Sequence, residues 1–490
     1  MADNTKIWPI FRWANWGLSD DLFTGIKNSF YYSNDMEIRE DAKSIYPKES
    51  PRSWKAIDLW DSSGQIRASI YFNSRWYVFT AEDVYKLNLS TWTATSLWVS
   101  GWLSWKIDDA ELFNWKVYFS IQNYLYSIDQ SAADANWAAE ANFDKMSLNL
   151  SSDHPLYATA TFLAVGNWNV VWKVTKEIPD QVQDWILLQT DYEVRFINEL
   201  GGFLRVTASD GHYWNEIILW DETSDAANEV IPMNWYKFLQ SCIYNWYHYL
   251  LSDKWLGLMN WYQYYILKKA DDLWNTYAKN WMLVYDDKLY FVTKDWLYIY
   301  WAKNKNYADV LNLWSAKATV RWKPFALWTD WDKLVYSELN WDTGHYYVYV
   351  YSRNENKWES WEIQTMCYFW NSLSEIKQSM YLRVWYHIPK RTYAGVEYTW
   401  NIRIYYRTEV DAIDDNPENR WWHELTLNWW LTEKSDMRSP FATTLKLNCR
   451  FQWIQFKFVL TNCRWTEWAT VKSKDTNLYS ADLYYNDMLD

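Results

Sequence analysis

Apolar and polar residues alternate along most of the chain, in short runs separated by turns. The segment from Tyr285 reads YDDKLYFVTKDWLYIYW, with an apolar pair, a turn, an alternating run, a second turn and another alternating run. A period of two is typical of β-strands that bury one face, and turns this close together are typical of β-hairpins. The pattern predicts an all-β protein.

This hairpin repeats along the chain. Tyr290 is followed six residues on by the turn residue Trp296 and a short strand, and the same spacing recurs after Tyr77, Tyr118 and Tyr249. Tyr77 and Tyr118 are 41 residues apart, as are Tyr249 and Tyr290. A period of about 40–45 residues with four short strands per unit is typical of a β-propeller. Counting the units predicts a seven-bladed propeller, with eight blades as the alternative count and a periodic sandwich array as the alternative architecture.

Changes in the pattern divide the chain into three predicted segments. Residues 1–50 are polar and weakly periodic, and we expect an N-terminal arm that supplies a closing strand or contacts a neighbouring subunit. Residues 51–390 carry the repeat and are the predicted β-propeller. Residues 391–490 contain longer alternating runs, such as KLNCRFQWIQFKFVLTN, without the 41-residue spacing. They predict a separate C-terminal antiparallel β-sandwich of ordinary domain size.

Tryptophan stands where glycine is expected. The chain has 42 Trp and 11 Gly, whereas ordinary usage would give roughly 34 Gly. Ten Trp directly follow Asn, as in Asn114-Trp115 and Asn245-Trp246. Asn-Gly is a strong hairpin signal because a type I′ turn needs positive φ at both central residues, a conformation that costs other residues about 1–2 kcal/mol.

We therefore predict that many of these Trp, including Trp296, are glycine in the native protein. The simplest cause is a UGA codon that the source reads as Gly and that is translated here as Trp. The alternative is a genuine Trp-rich binding surface. Trp453, in the alternating run FQWIQFKF, and one of Trp421 and Trp422 are expected to be genuine.

Charge and apolar content exclude several classes of protein. The formal net charge is −13, which argues against coating nucleic acid or an anionic membrane by charge alone, since such binding depends on Lys and Arg. No run of 18 apolar residues and no signal-like N-terminus is present, so we expect no membrane insertion and synthesis in a cytoplasm. The four cysteines lack CxxC spacing, and buried free thiols are expected.

The sequence predicts no catalytic residue, no cofactor-binding residue and no metal site. The six His lack ligand spacing, and there is no phosphate-binding loop and no Asp-box of the sialidase type. Paired acids such as Asp108-Asp109 and Asp286-Asp287 are expected to cap turns or lie in solvated loops. Asp414, Asp415 and Glu418 give only a weak Ca²⁺ signal. The Tyr-rich runs are expected at half-exposed strand positions, with a glycan-stacking face as the alternative.

Two sets of residues carry a resemblance to a known family. The N-terminal GLSDDLFTGIKNSF and MEIRED, and the C-terminal IRIYYRT, WHEL, FQWIQFKFVL and SADLYY, resemble structural proteins of tailed-bacteriophage virions, from the tail or head-to-tail region. A recoded UGA fits phages of bacteria that reassign this codon. The resemblance implies a scaffold and not a reaction, so it carries over no functional residue.

The expected function is that of a non-enzymatic virion component. We expect other virion proteins as partners, a symmetric homo-oligomer within a particle, a host-surface glycan as a further candidate partner, and no sequence-specific binding of nucleic acid. The expected location is the virion, after synthesis in the host cytoplasm. The alternatives are a glycan-binding or glycan-hydrolysing propeller protein and a cellular β-propeller interaction module.

Overall fold

The computed structural model describes most of the chain. The described residues are 6–11, 30–34, 36–38, 45–47, 56–60, 65–72, 75–103, 106–148, 153–233, 237–260, 263–269, 281–294, 297–301, 314–318, 323–329, 334–340, 342–351, 361–365, 368–369, 376–387, 391–393, 396–398, 400–409, 422–425, 441–462 and 477–487. The chain packs into two compact units. The first comprises Met1–Pro51, Tyr298–Thr319 and Ser352–Asp490, and the second comprises Arg52–Leu297 and Val320–Tyr351.

Within the described ranges, short strands follow one another from β1 through the second unit. The first five strands are β1 (Lys6–Phe11), β2 (Phe30–Asn34), β3 (Met36–Ile38), β4 (Ile45–Pro47) and β5 (Ile57–Asp58). The next eight are β6 (Ile66–Phe72), β7 (Arg75–Thr80), β8 (Val84–Asn88), β9 (Thr93–Ser96), β10 (Ile107–Phe113), β11 (Lys116–Ile121), β12 (Tyr124–Asp129) and β13 (Asp144–Ser147). Three 3₁₀ segments lie between them, at Val99–Gly101, Asp134–Ala138 and Glu140–Asn142.

Short strands continue to residue 351. The strands here are β14 (Leu156–Ala158), β15 (Phe162–Asn167), β16 (Val170–Thr175), β17 (Gln183–Gln189), β18 (Glu193–Leu200), β19 (Phe203–Ser209), β20 (Asn215–Trp220), β21 (Glu229–Pro232), β22 (Phe238–Tyr244), β23 (Tyr247–Ser252), β24 (Trp255–Asn260) and β25 (Gln263–Lys269). They are followed by β26 (Met282–Tyr285), β27 (Lys288–Val292), β28 (Leu297–Trp301), β29 (Trp314–Ala318), β30 (Lys323–Thr329), β31 (Leu334–Leu339) and β32 (Tyr346–Tyr351).

Eleven strands of two to 11 residues lie toward the C-terminus and include the longest of the described chain. They are β33 (Trp361–Thr365), β34 (Tyr368–Phe369), β35 (Lys377–His387), β36 (Arg391–Tyr393), β37 (Val396–Tyr398), β38 (Trp400–Thr408), β39 (His423–Glu424), β40 (Phe441–Lys446), β41 (Arg450–Phe451), β42 (Trp453–Asn462) and β43 (Asn477–Asp487). The prediction of an all-β chain is confirmed. No helix among the described residues is long and apolar enough to cross a membrane.

The described part of the chain contains seven four-stranded antiparallel sheets in a propeller-like arrangement. Six of them use consecutive strands, in the orders β6-β7-β8-β9, β10-β11-β12-β13, β14-β15-β16-β17, β18-β19-β20-β21, β22-β23-β24-β25 and β26-β27-β28-β29. The last sheet has the order β30-β31-β32-β5, so its fourth strand comes from before the first sheet. We refer to these as sheets 1 to 7.

The first strands of the sheets contact one another in sequence. β6 contacts β10, β10 contacts β14, and the series continues through β18, β22, β26 and β30, which contacts β6 again. The contacts therefore form a closed cycle within the second unit.

Within a sheet, the second strand is buried and the fourth is exposed, in agreement with their apolar and polar sequences. β11 (KVYFSI) is buried at every position except the first, because a strand between two stacked sheets is covered on both faces. β9 (TATS) is mostly exposed, and its polar side chains suit an edge. Apolar clusters fill the spaces between neighbouring sheets. One cluster joins Phe79 of sheet 1 to Phe119 of sheet 2, and another joins Trp76 of sheet 1 to Phe325 of sheet 7.

The first unit contains two larger antiparallel sheets built from both ends of the chain. One has the order β3-β4-β43-β35-β40, with β1 pairing β43 and β41 pairing β35. The other has the order β2-β33-β42-β38-β39, with β34 pairing β42. Residues before position 51 therefore pair with C-terminal strands in both sheets. The predicted segment boundaries at 50/51 and 390/391 stay predictions.

Three strands within residues 51–390, the predicted propeller, pair in the first unit instead. β33 and β34 pair with β42, and β35 pairs with β43 and β40. β35 spans 11 residues, longer than the strands of sheets 1 to 7, and its buried and less buried positions alternate along most of its length. Alternation alone did not distinguish this long strand from a blade strand.

Candidate binding site in the central cavity

A cavity of about 650 Å³ lies in the second unit, inside the cycle of first strands. Each of the seven sheets contributes to its lining through its first strand. The residues are Arg67 on β6, Asp108, Asp109 and Glu111 on β10, Leu156 and Tyr157 on β14, Arg195 to Asn198 on β18, Gln240 to Ile243 on β22, Met282 to Val284 on β26 and Thr329 on β30, with Asp153, His154 and Pro155 just before β14. We call this space the central cavity.

A β-bulge places charged side chains in this lining. The pairing of the first strand with the second skips one residue at the same point in three sheets, namely Arg67 in sheet 1, Asp108 in sheet 2 and Arg195 in sheet 4. A bulge leaves its extra residue out of the ladder and turns that side chain in a new direction. All three bulge residues line the central cavity. In sheet 5 the skipped residue is the buried Leu239, which is not part of the lining.

Two arginines and four carboxyl groups face the cavity. One terminal nitrogen of Arg195 lies 3.2 Å from the Oδ2 atom of Asp153, and the other pairs with Glu193. The side chain of Asp153 is 55% exposed, so this side of the cavity meets solvent. The ion pair fixes the direction of the Arg195 guanidinium at the cavity wall.

Asp109 serves the structure of the cavity wall. Its Oδ1 atom accepts a hydrogen bond from the backbone N–H of Ala110, and its Oδ2 atom accepts one from the backbone N–H of Leu156, each at 2.8 Å. The second bond links β10 to β14. A carboxylate with both oxygens bound to backbone donors is well compensated for its burial.

Asp108 has a different environment. Burial, together with the Asp153 carboxylate, raises the pKa of its carboxyl to about 8, against the hydrogen bond from the backbone N–H of Gln122 and the charge of Arg67. The hydrogen bond to Gln122 is 3.2 Å long. At neutral pH the group is mostly protonated, so it can donate a hydrogen bond as well as accept one.

The segment before β14 is held by a buried histidine. The Nδ1 atom of His154 lies 2.8 Å from the carbonyl oxygen of Gly166, and its Nε2 atom faces the carbonyl oxygen of Gln122. A Cβ atom at Gly166 would lie 2.7 Å from the Cγ atom of Pro155, so this close approach requires glycine. These contacts fix the position of Asp153 and Pro155 in the lining.

The remaining lining combines amides with apolar groups. Asn198 donates a hydrogen bond from Nδ2 to the Oγ atom of Ser241 at 2.5 Å, and Gln240 lies beside Ser241 on β22. Phe196 and Met282 add apolar surface. The site therefore offers donors, acceptors and apolar patches within one cavity that is open to solvent on one side.

No site residue is predicted from the sequence, and the structure gives different roles to the two acid pairs that were expected to cap turns or lie in solvated loops. Asp108 and Asp109 line the cavity, whereas Asp286 and Asp287 form a two-residue turn with φ values of 51° and 55°. Asp414, Asp415 and Glu418 lie outside the described residues. Within the described ranges, no group of three or more His, Cys, Asp or Glu residues is arranged to hold a metal ion.

The repeat contained a signal for the charged lining that the sequence analysis did not use. Arg67 and Asp108 each lie ten residues before the repeated Tyr, at 77 and 118. In sheet 5 the residue ten positions before Tyr249 is Leu239. Comparing equivalent positions of the repeat would have separated charged from apolar bulge residues.

Comparisons with known proteins concern the fold alone. No family model and no curated protein matches the chain. Among solved structures, it is similar to the Pan2 WD40 domain of Neurospora crassa, with a TM-score of 0.43 and 8% identity over 61% of this chain and 92% of that domain. It is also similar to the computationally designed Ika8 protein, with a TM-score of 0.40 and 9% identity over 64% of this chain and 87% of that one.

Proposed function

We propose that the chain is a non-enzymatic structural component of a tailed-phage virion, located in the tail or neck. The observation that carries the proposal furthest is the pairing of β5 with β32, with Tyr347 opposite Asp58 and Val348 opposite Ile57. This pairing completes sheet 7 with a strand from before sheet 1. A ring closed in this way joins the start of the repeat to its end within one sheet, and such a closed ring is a rigid disc that suits a symmetric assembly.

The finer architecture belongs to the same proposal. We infer that sheets 1 to 7 are the blades of a seven-bladed propeller, on the support of the cyclic contacts of the first strands. We also infer that the two sheets of the first unit pack as a β-sandwich. Support comes from β35, where buried Leu382, Val384 and Tyr386 alternate with partly exposed residues, as expected when one sheet face is covered.

The turns between first and second strands support glycine at several Trp positions. In sheet 4 the two turn residues are Gly201 and Gly202, with φ values of 65° and 81°. The equivalent turn of sheet 5 has Trp246 in second place, with a φ of 66°. In sheet 2 the second residue is Trp115, with a φ of 62°. The same turn position thus holds glycine in sheet 4 and Trp in sheets 2 and 5.

Other Trp residues share this conformation. Six Trp of the described chain have φ values between 54° and 66°, and five of these side chains are at least 48% exposed, so burial of the indole gives little compensation for the strain. The six are Trp60, Trp92, Trp98, Trp115, Trp168 and Trp246. We propose that these six are glycine in the native protein. Trp296 lies outside the described residues.

Trp172 is expected to be a genuine tryptophan. It is buried at the strand position that Tyr118 and Tyr249 hold in sheets 2 and 5. Every sheet has a large side chain at this position, aromatic in all but sheet 4, where it is Arg205, so a large residue is expected there, whereas a turn position needs none. Reassignment of UGA to glycine in the source supports the phage origin, which also rests on the sequence resemblance.

In this role the chain would act by burying complementary surfaces against other virion proteins and further copies of itself. Specific interfaces of this kind typically bury about 1,200–2,000 Å² in total. With glycine at the six left-handed positions, five exposed indoles are absent from the native surface, whereas that of Trp214 remains. The contacts would then depend on the polar outer strands and on the first unit.

Purification of particles from the source tests this function. Mass spectrometry should detect the chain in the particles at a fixed copy number, and electron microscopy should place a seven-fold pseudosymmetric disc in the tail or neck. Detection only as a free protein in the particle-depleted lysate would contradict the proposal and favour a cellular interaction module.

A glycan-binding protein is the second candidate, and the central cavity favours it. A glycan-hydrolysing enzyme is a separate variant of this alternative. Release of reducing sugar from a panel of glycans would support hydrolysis, and intact glycans after prolonged incubation would exclude hydrolysis of that panel.

A further inference from the structure

We infer that the central cavity binds a neutral carbohydrate of one to a few sugar rings. The inference deepens the attachment to host-surface glycan and rests on that part of the proposed function. The scaffold role does not depend on it.

The balance of charges in the lining disfavours anionic ligands. Two guanidiniums, of Arg67 and Arg195, face four carboxyl groups, and Arg195 is already paired with Asp153 and Glu193. An anionic ligand would meet the carboxylates of Glu111 and Asp153 without a surplus of positive charge. Like charges brought together in an enclosed space raise the cost of binding.

A strongly cationic ligand is also disfavoured. The Arg67 and Arg195 side chains occupy equivalent bulges on the two sides of sheets 2 and 3, so positive charge already lies on both sides of the carboxyl groups. Asp108 is largely neutral at pH 7, which reduces the negative charge available to a cation. Charge therefore favours a ligand without net charge.

Hydroxyl groups fit the hydrogen-bonding groups of the lining. Each sugar hydroxyl donates one hydrogen bond and accepts others, whereas carboxylates only accept and guanidiniums only donate. Carboxylates and guanidiniums from neighbouring sheets thus offer both kinds of partner to vicinal hydroxyls. Gln240 adds a side-chain amide that both donates and accepts.

The size and apolar patches of the cavity agree with this class. Small-molecule sites are clefts of roughly 300–1,000 Å³ with apolar walls and a few convergent polar groups. The central cavity, at about 650 Å³, lies in this range. Phe196, Tyr157 and Met282 provide apolar surface for the C–H faces of sugar rings.

Calorimetric titration of the full chain with matched trisaccharides tests the inference. The neutral probes are maltotriose, cellotriose and triacetylchitotriose, and the charged probes are the cationic chitosan trimer and anionic trigalacturonate. We expect at least one neutral trimer to bind in the millimolar range or tighter, and more tightly than both charged trimers. Absence of binding by all three neutral trimers, or tighter binding of a charged trimer, would overturn the inference.

Substitutions locate the binding in the cavity. Arg67→Met keeps the length of the side chain and removes the guanidinium, and we expect a roughly tenfold or greater loss of affinity, or about 1.4 kcal/mol. Asp153→Asn, at a partly exposed position, is the second variant. If Arg67→Met does not fold, the affinity of Asp153→Asn for the sugar shows whether the sugar binds in the cavity. Glu229→Gln, on the outermost strand of sheet 4 and outside the lining, is the matched control and should bind normally.

Unchanged affinity in the folded cavity variants would place the sugar elsewhere and overturn the inference. Failure of this inference leaves the particle experiment untouched. A chain that is absent from particles but binds a neutral sugar in the cavity would refute the scaffold role alone.

Discussion

Trp246 and Gly202 occupy the same position in equivalent turns of neighbouring sheets. Each is the second residue of the two-residue connection between the first and second strands of its sheet, and their φ values are 66° and 81°. Glycine adopts this conformation without steric cost, whereas a residue with a Cβ atom is strained by about 1–2 kcal/mol. The indole of Trp246 is 81% exposed, so little packing offsets the strain.

Replacement of Trp246 by glycine should therefore stabilise a chain that carries the printed sequence. We expect Trp246→Gly to raise the free energy of unfolding by about 1–2 kcal/mol, measured by chemical denaturation. Glycine at all six left-handed Trp positions should give a gain comparable with the stability of a whole domain, about 5–15 kcal/mol.

Trp172→Gly is the matched control for the turn substitutions. Trp172 is buried between sheets, and loss of a buried indole typically costs about 3–5 kcal/mol. Destabilisation by Trp246→Gly, or equal effects of the two substitutions, would show that the turn tolerates tryptophan.

Because β5 completes sheet 7, we expect Leu59, the residue directly after β5, to contribute strongly to the stability of the fold. Leu59 is fully buried, and its backbone N–H donates a hydrogen bond to the carbonyl oxygen of Tyr346 at 3.0 Å. We expect Leu59→Ala to lower the free energy of unfolding by about 2–5 kcal/mol. Ile7→Ala, at a half-exposed position of β1, is the control and should cost less. An equally small effect at both positions would contradict a closed ring.

Because the pKa of Asp108 is raised in the folded chain, we expect the free energy of unfolding to fall as the pH rises. Its carboxyl has a pKa of about 8 in the folded chain, above the ordinary value of 3.8, so the folded state binds the proton more tightly than the unfolded state. This contribution is fully present below about pH 4 and is lost as the pH rises to about 8.

Asp108→Asn removes this titration. We expect the variant to gain at least about 1.4 kcal/mol relative to the parent between pH 4 and pH 8.5, the equivalent of one pKa unit. Thermal melting across this range measures it, with Asp225→Asn on an exposed loop as control. A constant difference between variant and parent at all pH values would show that Asp108 is ionised normally.

For His248 we expect the opposite pH dependence of the free energy of unfolding. Burial, together with the charge of Arg205, lowers the pKa of its imidazole to about 3. The folded state binds the proton less tightly than the unfolded state, so stability is complete above about pH 6.5 and falls as the pH drops toward 3. Within the described chain, neither ring nitrogen of His248 has a hydrogen-bond partner.

His248→Leu should remove this acid sensitivity. Leu289 holds the equivalent position of sheet 6, so leucine suits the site. We expect a gain of about 1–3 kcal/mol from removal of an unsatisfied buried group, growing below pH 6.5. The control is His212→Gln at an exposed position. Identical acid unfolding of parent and His248→Leu chains would contradict a buried, neutral histidine.

The repeat was predictable from the sequence because local patterns encode it. The Tyr at 77, 118, 249 and 290 marks the second strand of four sheets, and the turn residues follow at fixed spacing. Sheets 3 and 4 lack this Tyr and have Trp172 and Arg205 instead, so they were located by spacing alone. The left-handed conformation of Trp115, with a φ of 62°, was also predictable from its turn context.

Pairing between strands that are far apart in the chain was harder to predict from the sequence. The short β5 has two residues, too few for a periodic signal, and its partner β32 lies almost 290 residues away in sequence. The pairing of β35 with β43 likewise depends on tertiary packing. The charged central cavity went unpredicted because Arg67, Asp108 and Arg195 come together only through ring contacts and bulges, and no local motif joins them.

Intact-mass measurement of protein isolated from its source, with sequencing of the peptides that contain positions 115, 172 and 246, tests most directly whether the left-handed Trp are glycine. We predict a mass well below 59.6 kDa, glycine at 115 and 246, and tryptophan at 172. A mass of 59.6 kDa with tryptophan at 115 and 246 would contradict the glycine assignment and remove its support for a recoding phage source.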